Sequence, residues 1–155
     1  MDKSMDVNKD IKAYIIPEME PVVAMEAEVA YYTPQRSVGL SRSGVTTSFV
    51  NDLLVKYHFS KAELARLLDI SSKTLDRHLL AQKPFSGLQA ERIVLLAELY
   101  AKGIRVFGQN EKFIKWLNST VVAMDHTTPK SWLDTYHGIQ LVSDELERIA
   151  HGIFA

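Results

Sequence analysis

The sequence predicts an all-α protein. Apolar residues recur at spacings of three and four, helix start and stop signals punctuate the chain, and no stretch alternates apolar with polar residues as a half-buried strand would.

The first 33 residues read as an arm that is partly disordered. Residues 1–10 are polar and mixed in charge. Pro17 and Pro21 cut the apolar stretch that follows, because proline lacks the amide a continuing helix needs. Pro21 suits the first turn of a helix over 22–32, VVAMEAEVAYY, which Pro34 ends. Such a segment either joins a partner or second copy, or packs on its own domain.

Residues 35–43 are short and polar-basic around Val38 and Leu40, with Gly44 as a helix stop. Thr46 or Thr47 caps a helix through Tyr57, whose Phe49, Val50, Leu53, Leu54 and Tyr57 form one buried face. Ser60 to Glu63 is a capping box, in which serine and glutamate each satisfy a first-turn amide of the other. Small Ala65 permits a close helix crossing. Asp69 and Ile70 form a turn, Ser71 caps the next helix, and Leu75 and Leu79 face the core.

Ser86 and Gln89 suggest a second capping box before a helix that Gly103 stops. A short helix follows Asn110, with Phe113, Ile114, Trp116 and Leu117 apolar; 119–127 reads as loop. Thr128-Pro129 is a cap and a proline at the first helical position, anchored by Trp132 and Leu133. Thr135 starts a last helix through Ile139, Val142, Leu146 and Ile149, ended by Gly152.

The pair of helices over 61–80 carries the first functional signal. Two short helices joined by a tight turn, the second opening on small polar and basic residues, are the pattern of a helix-turn-helix that enters a DNA groove. Ser72, Lys73, Thr74 and Arg77 are candidates for phosphate or base contacts, and His78, near the helix end, for backbone. A solvated helical hairpin is the plainer alternative. Asp69 stands where such motifs usually place glycine, and aspartate tolerates the left-handed conformation better than most residues.

Composition bounds the rest. The 155 residues are 46% hydrophobic and 24% charged, an ordinary soluble balance. No apolar run is long enough to span a bilayer, and the start does not suit a signal peptide, so a cytoplasmic protein is expected. With no cysteine, disulfides and thiolate metal sites are excluded. The net charge of -1 conceals a gradient: residues 1–33 hold three basic against seven acidic side chains, 34–110 eleven against six, and 111–155 four against six. The basic excess coincides with the helix-turn-helix, where phosphate neutralisation would need it.

Enzymatic chemistry finds little support. The five histidines show no helical metal spacing with a carboxylate, and the glycines form no phosphate-binding loop. Ser131, Asp134 and His137 are near in sequence, but serine and aspartate are common at a helix start, and a triad is defined by geometry. No enzyme activity, cofactor, metal or small-molecule substrate is expected. The final HGIFA either folds back on the core or docks as an apolar plug on another protein.

DISSKTLDRHL resembles the helix-turn-helix of Xre-type antitoxins, and the run from Thr127 to Ala155 resembles the toxin-binding domain of Xre/MbcA/ParS antitoxins. The second likeness rests on Thr128-Pro129, Leu133-Asp134-Thr135 and the Arg148-Ile149-Ala150-His151-Gly152 segment, and the whole covers 43–155. The expected division is a helix-turn-helix domain over 34–107 and a small helical toxin-binding domain over 108–155. The resemblance implies a homodimeric antitoxin that blocks the active site of an NAD-consuming RES-domain toxin and represses its own operon through operator DNA. Carried over by position, Arg148, His151, Gly152, Ile153, Phe154 and Ala155 belong to the toxin contact. The alternative is a transcriptional regulator with a C-terminal oligomerisation or effector domain and no toxin.

Overall fold

A computed structural model describes residues 34–152. The expected helix over 22–32 and the residues Ile153, Phe154 and Ala155 lie outside them. The described residues form seven α-helices and two 3-10 turns with no extended strand: α1 (Pro34–Ser43), α2 (Thr47–Lys56), α3 (Lys61–Leu67), α4 (Ser72–Leu80), α5 (Gly87–Phe107), α6 (Asn110–Leu117), the turns Val122–Met124 and Pro129–Trp132, and α7 (Tyr136–Ala150). The all-α expectation holds.

Helix α5 is the axis, with α1, α6 and α7 packed along it. Its Ile93, Leu96, Ala97 and Tyr100 are buried, as the three–four spacing required, and they join one continuous core with Leu64, Leu75, Phe113, Leu133, Val142 and Leu146. Aromatic rings tie the halves together: Tyr100 packs against Tyr57 at 4.6 Å, Phe59 at 4.8 Å and, edge-on, Phe113 at 5.1 Å.

Local signals account for most boundaries. Pro34 opens α1, and Gly44, at φ +92, closes it by donating its amide to the Leu40 carbonyl. Val45 and Phe85 then exchange two backbone hydrogen bonds of 2.9 and 2.8 Å, pinning the end of α1 beside the start of α5. Thr46 accepts from the Phe49 amide and Thr135 from the Gly138 amide, as capping residues do.

Four expectations need correction. Ser86 makes no side-chain cap, because α5 begins through Gly87 at φ +58, which does not bring the first-turn amides to the serine hydroxyl. Gly103 does not stop α5; the helix runs on to Phe107 and ends at Gly108, φ +74. Gly103 is instead a buried notch, since a Cβ there would overlap the ring of Phe113 from α6. Thr128 likewise makes no side-chain cap: its carbonyl takes the Ser131 amide and hydroxyl, while buried Pro129 starts a 3-10 turn. The stretch 119–127 is tighter than a plain loop, closed by a Val121–Thr127 bridge over buried Met124.

Candidate DNA-facing and toxin-facing surfaces

Helices α3 and α4 meet through the turn at Leu68 to Ser71. The capping box is complete: Ser60 Oγ accepts the Glu63 amide and Glu63 Oε2 accepts the Ser60 amide. Asp69 adopts φ +55, the left-handed conformation its position demanded, and Ile70 donates back to the Ala65 carbonyl. Ala65 is 2% exposed at the α3–α4 packing, where a longer side chain would hold the helices apart. Arg92 of α5 donates to the Leu67 carbonyl, satisfying an acceptor that the end of α3 leaves over.

The five residues expected to face DNA are not equivalent. Ser72, Lys73 and Arg77 are exposed. Lys73 and Arg77 lie four apart and so share a face of α4. Thr74 is half-buried, and its hydroxyl is 2.9 Å from that of Ser71 within the cap. His78 is half-buried, stacked on Phe85 at 4.6 Å, with Nδ1 3.3 Å from the Lys83 carbonyl. Asp76 does not stand alone on this face: Lys61 of α3 reaches it at 2.7 Å and offsets its charge.

The other surface is the end of α7. Arg148 and His151 are exposed, and Gly152 turns the chain at φ +70. Both side chains have partners on their own helix: His151 Nε2 is 3.7 Å from Glu147, and Arg148 pairs with Glu145. Glu145 is only 5% exposed, so Arg148 also supplies the countercharge of a buried carboxylate. Sequence reasoning missed Glu145; its place on the apolar side, between Val142 and Leu146, was the available sign.

Two polar links join the halves and were also missed. Lys130 reaches Glu63 Oε1, the oxygen the capping box leaves free. Burial alone would raise the Glu63 pKa, but hydrogen bonds from Lys130 and Ser60 hold it below the ordinary carboxylate value. Asn110 Nδ2 donates to the Lys56 carbonyl at 2.9 Å, closing the end of α2 from the start of α6. Elsewhere, Lys102 binds Ser143 and Glu147 of α7, and its hydrogen bond and charge hold Glu147 below the usual range. Burial raises the Glu98 pKa, partly offset by the hydroxyl of Ser37.

Ser131, Asp134 and His137 are all exposed, and the Ser131 hydroxyl is taken by the Thr128 carbonyl. Among the described residues no cluster has the composition of a metal site, and no helix is long and apolar enough to cross a membrane.

Fold and surfaces define the class: a helix-turn-helix protein with an appended helical module. Residues 37–98 match the antitoxin Xre-like helix-turn-helix domain, and residues 102–152 match the antitoxin Xre/MbcA/ParS C-terminal toxin-binding domain. The chain belongs to this Xre/MbcA/ParS antitoxin family. It is 26% identical over 115 residues to "Antitoxin Xre" of Yersinia enterocolitica serotype O:8 / biotype 1B, covering 74% of this chain and 78% of that protein. It is 24% identical over 132 residues to the "Prs ADP-ribosylating antitoxin" of Sphingobium sp., covering 79% and 83%. A chain in the crystal structure of the M. tuberculosis MbcT-MbcA toxin-antitoxin complex shares the fold, with TM-score 0.54 and 17% identity over 70% of this chain and 96% of that one.

Proposed function

We propose that the protein neutralises a RES-domain, NAD-consuming toxin in the bacterial cytoplasm by filling the entrance to its active site, and as a homodimer represses its own operon. The observation that carries the reading is the end of α7. There Arg148, His151 and Gly152 form an exposed terminus at the edge of the matched toxin-binding domain, from which Ile153, Phe154 and Ala155 continue. An apolar pair following a glycine turn is suited to entering a pocket. The name of the Sphingobium relative points to ADP-ribose transfer, a chemistry that draws on NAD. In this reading Lys73 and Arg77 hold operator phosphates or guanines and Ser72 supports them. Thr74 contributes through its methyl group and His78 by fixing the helix end.

The test is co-expression with a RES-domain toxin, following cellular NAD and growth. Because Arg148 holds a buried carboxylate, the informative truncation removes only residues 153–155. The shortened chain should fail to preserve NAD while still shifting operator DNA on a gel. Full protection by the shortened chain would sink the blocking reading.

A further inference from the structure

Helix α3 is too short to hold its own position. It has seven residues, and an isolated helix of that length is marginal in water. Side chains from elsewhere fix both of its ends. At the C-terminal end Arg92 of α5 donates to the Leu67 carbonyl at 3.1 Å. At the N-terminal end Lys130 donates to Glu63 Oε1, while Glu63 Oε2 accepts the Ser60 amide at 2.9 Å. Both oxygens of Glu63 are thereby committed, one to the cap of α3 and one to a residue of the other matched domain.

Lys130 is itself held firmly. It follows buried Pro129 in a 3-10 turn that leads into fully buried Leu133. Trp132 of the same turn donates its Nε1–H to the Thr127 hydroxyl at 2.6 Å, and the turn packs on α6 and α7. The ammonium group therefore reaches α3 from a rigid base. The Lys130 and Glu63 side chains are 23% and 35% exposed, which limits how far either can swing.

The first turn of α3 carries a second link. Lys61, two residues before Glu63, reaches Asp76 of α4 at 2.7 Å. Asp76 directly precedes Arg77 on the helix that presents Ser72, Lys73 and Arg77. A continuous polar chain thus runs from the toxin-binding module to the DNA-facing helix, through Lys130, Glu63, the first turn of α3, Lys61 and Asp76.

We propose that Lys130 is a positioning residue for operator recognition: it touches no DNA, and by fixing the first turn of α3 it sets the angle at which α4 enters the groove. The inference rests on the DNA-binding reading of α4. Base contacts depend on the orientation of the helix, whereas phosphate attraction tolerates a helix that is slightly turned. Loss of Lys130 should therefore erode the preference for operator more than the hold on DNA in general.

The test follows binding of the full chain to two duplexes by fluorescence anisotropy at several salt concentrations. One duplex is the DNA immediately upstream of its own coding sequence; the other is random, with equal length and composition. Lys130→Met should bind the upstream duplex about three- to tenfold more weakly, the random duplex within about twofold of the parent, and both with an unchanged salt slope. Lys130→Arg, which keeps the charge, should restore the parent's preference. Glu63→Gln removes the ion pair but keeps the cap, since glutamine serves at that position. It should show the same selective loss, and it decides the matter if Lys130→Met does not fold. An equal loss on both duplexes would make Lys130 a phosphate contact if the salt slope flattens, and a residue of general stability if it does not. Unchanged preference in Glu63→Gln would leave the link without a part in recognition. Each of these results overturns the proposal. A parent chain with no preference for the upstream duplex would instead remove the DNA-binding reading, and the proposal with it.

Discussion

Replacing Gly103 and Gly39 separately by alanine should move stability in opposite directions. Both glycines lie inside helices with ordinary backbone angles, α5 and α1 respectively. In each case alanine gains about 0.5–1 kcal/mol of helix propensity. At Gly39 a new Cβ meets nothing within 4 Å, so the gain stands. At Gly103 the Cβ would overlap three ring atoms of Phe113, which is fully buried and held between Tyr100, Phe107 and Trp116. That ring has little room to withdraw, so the overpacking cost falls at the upper end of the usual ~1–3 kcal/mol. The net loss is about 2 kcal/mol, or a melting temperature lower by roughly 4–8 °C for a chain of this size. Gly39→Ala should raise it by about 2–3 °C. Urea and thermal melts followed by circular dichroism provide the measurement. Combining Gly103→Ala with Phe113→Leu should recover part of the loss, because the two positions are in contact. A Gly103→Ala protein as stable as its parent would refute the notch and the α5–α6 packing built on it.

Replacing Lys73 and Arg77 together by alanine should weaken operator binding uniformly and reduce the slope of log affinity against log salt by about 1.8, two phosphate contacts' worth; an unchanged slope would move the DNA surface off α4. Asp69→Gly should stabilise the fold by roughly 0.5–1 kcal/mol, since glycine holds the left-handed turn without steric cost, and a destabilised variant would mean that the aspartate side chain itself supports the turn. The lowered Glu63 pKa means that its ion pair adds stability above the ordinary carboxylate range and that this is lost as pH falls through the depressed value. Lys130→Met should therefore cost about 0.5–1 kcal/mol at neutral pH and almost nothing in acid, and urea melts showing a pH-independent gap would contradict the pairing.

What could be read from the sequence was mainly what a residue does to neighbours three or four positions away. The Ser60–Glu63 box, the Ser71 and Thr135 caps and the left-handed Asp69 are all such relations. Gly103 was misread because its reason for being glycine is the ring of Phe113, on another helix. Ser86 fits the capping pattern by letter, yet the backbone angle of Gly87 overrides it. The Lys130–Glu63 link joins residues 67 apart, and no local pattern announces such a pair. At the candidate sites, sequence reasoning placed Ser72, Lys73 and Arg77 on an open face, but could not foresee the stacking of His78 on Phe85 or the buried glutamate beneath Arg148.

Helix α5 carries the end of one matched domain and the start of the other, at residues 98 and 102, without a break between them. The junction is thus the middle of a rigid rod. A cut there would strip both halves of a core wall, leaving two sticky fragments instead of two working modules. It follows that the halves share one fate. A protease that pulls on either end must unravel the common rod, so that both surfaces are lost together.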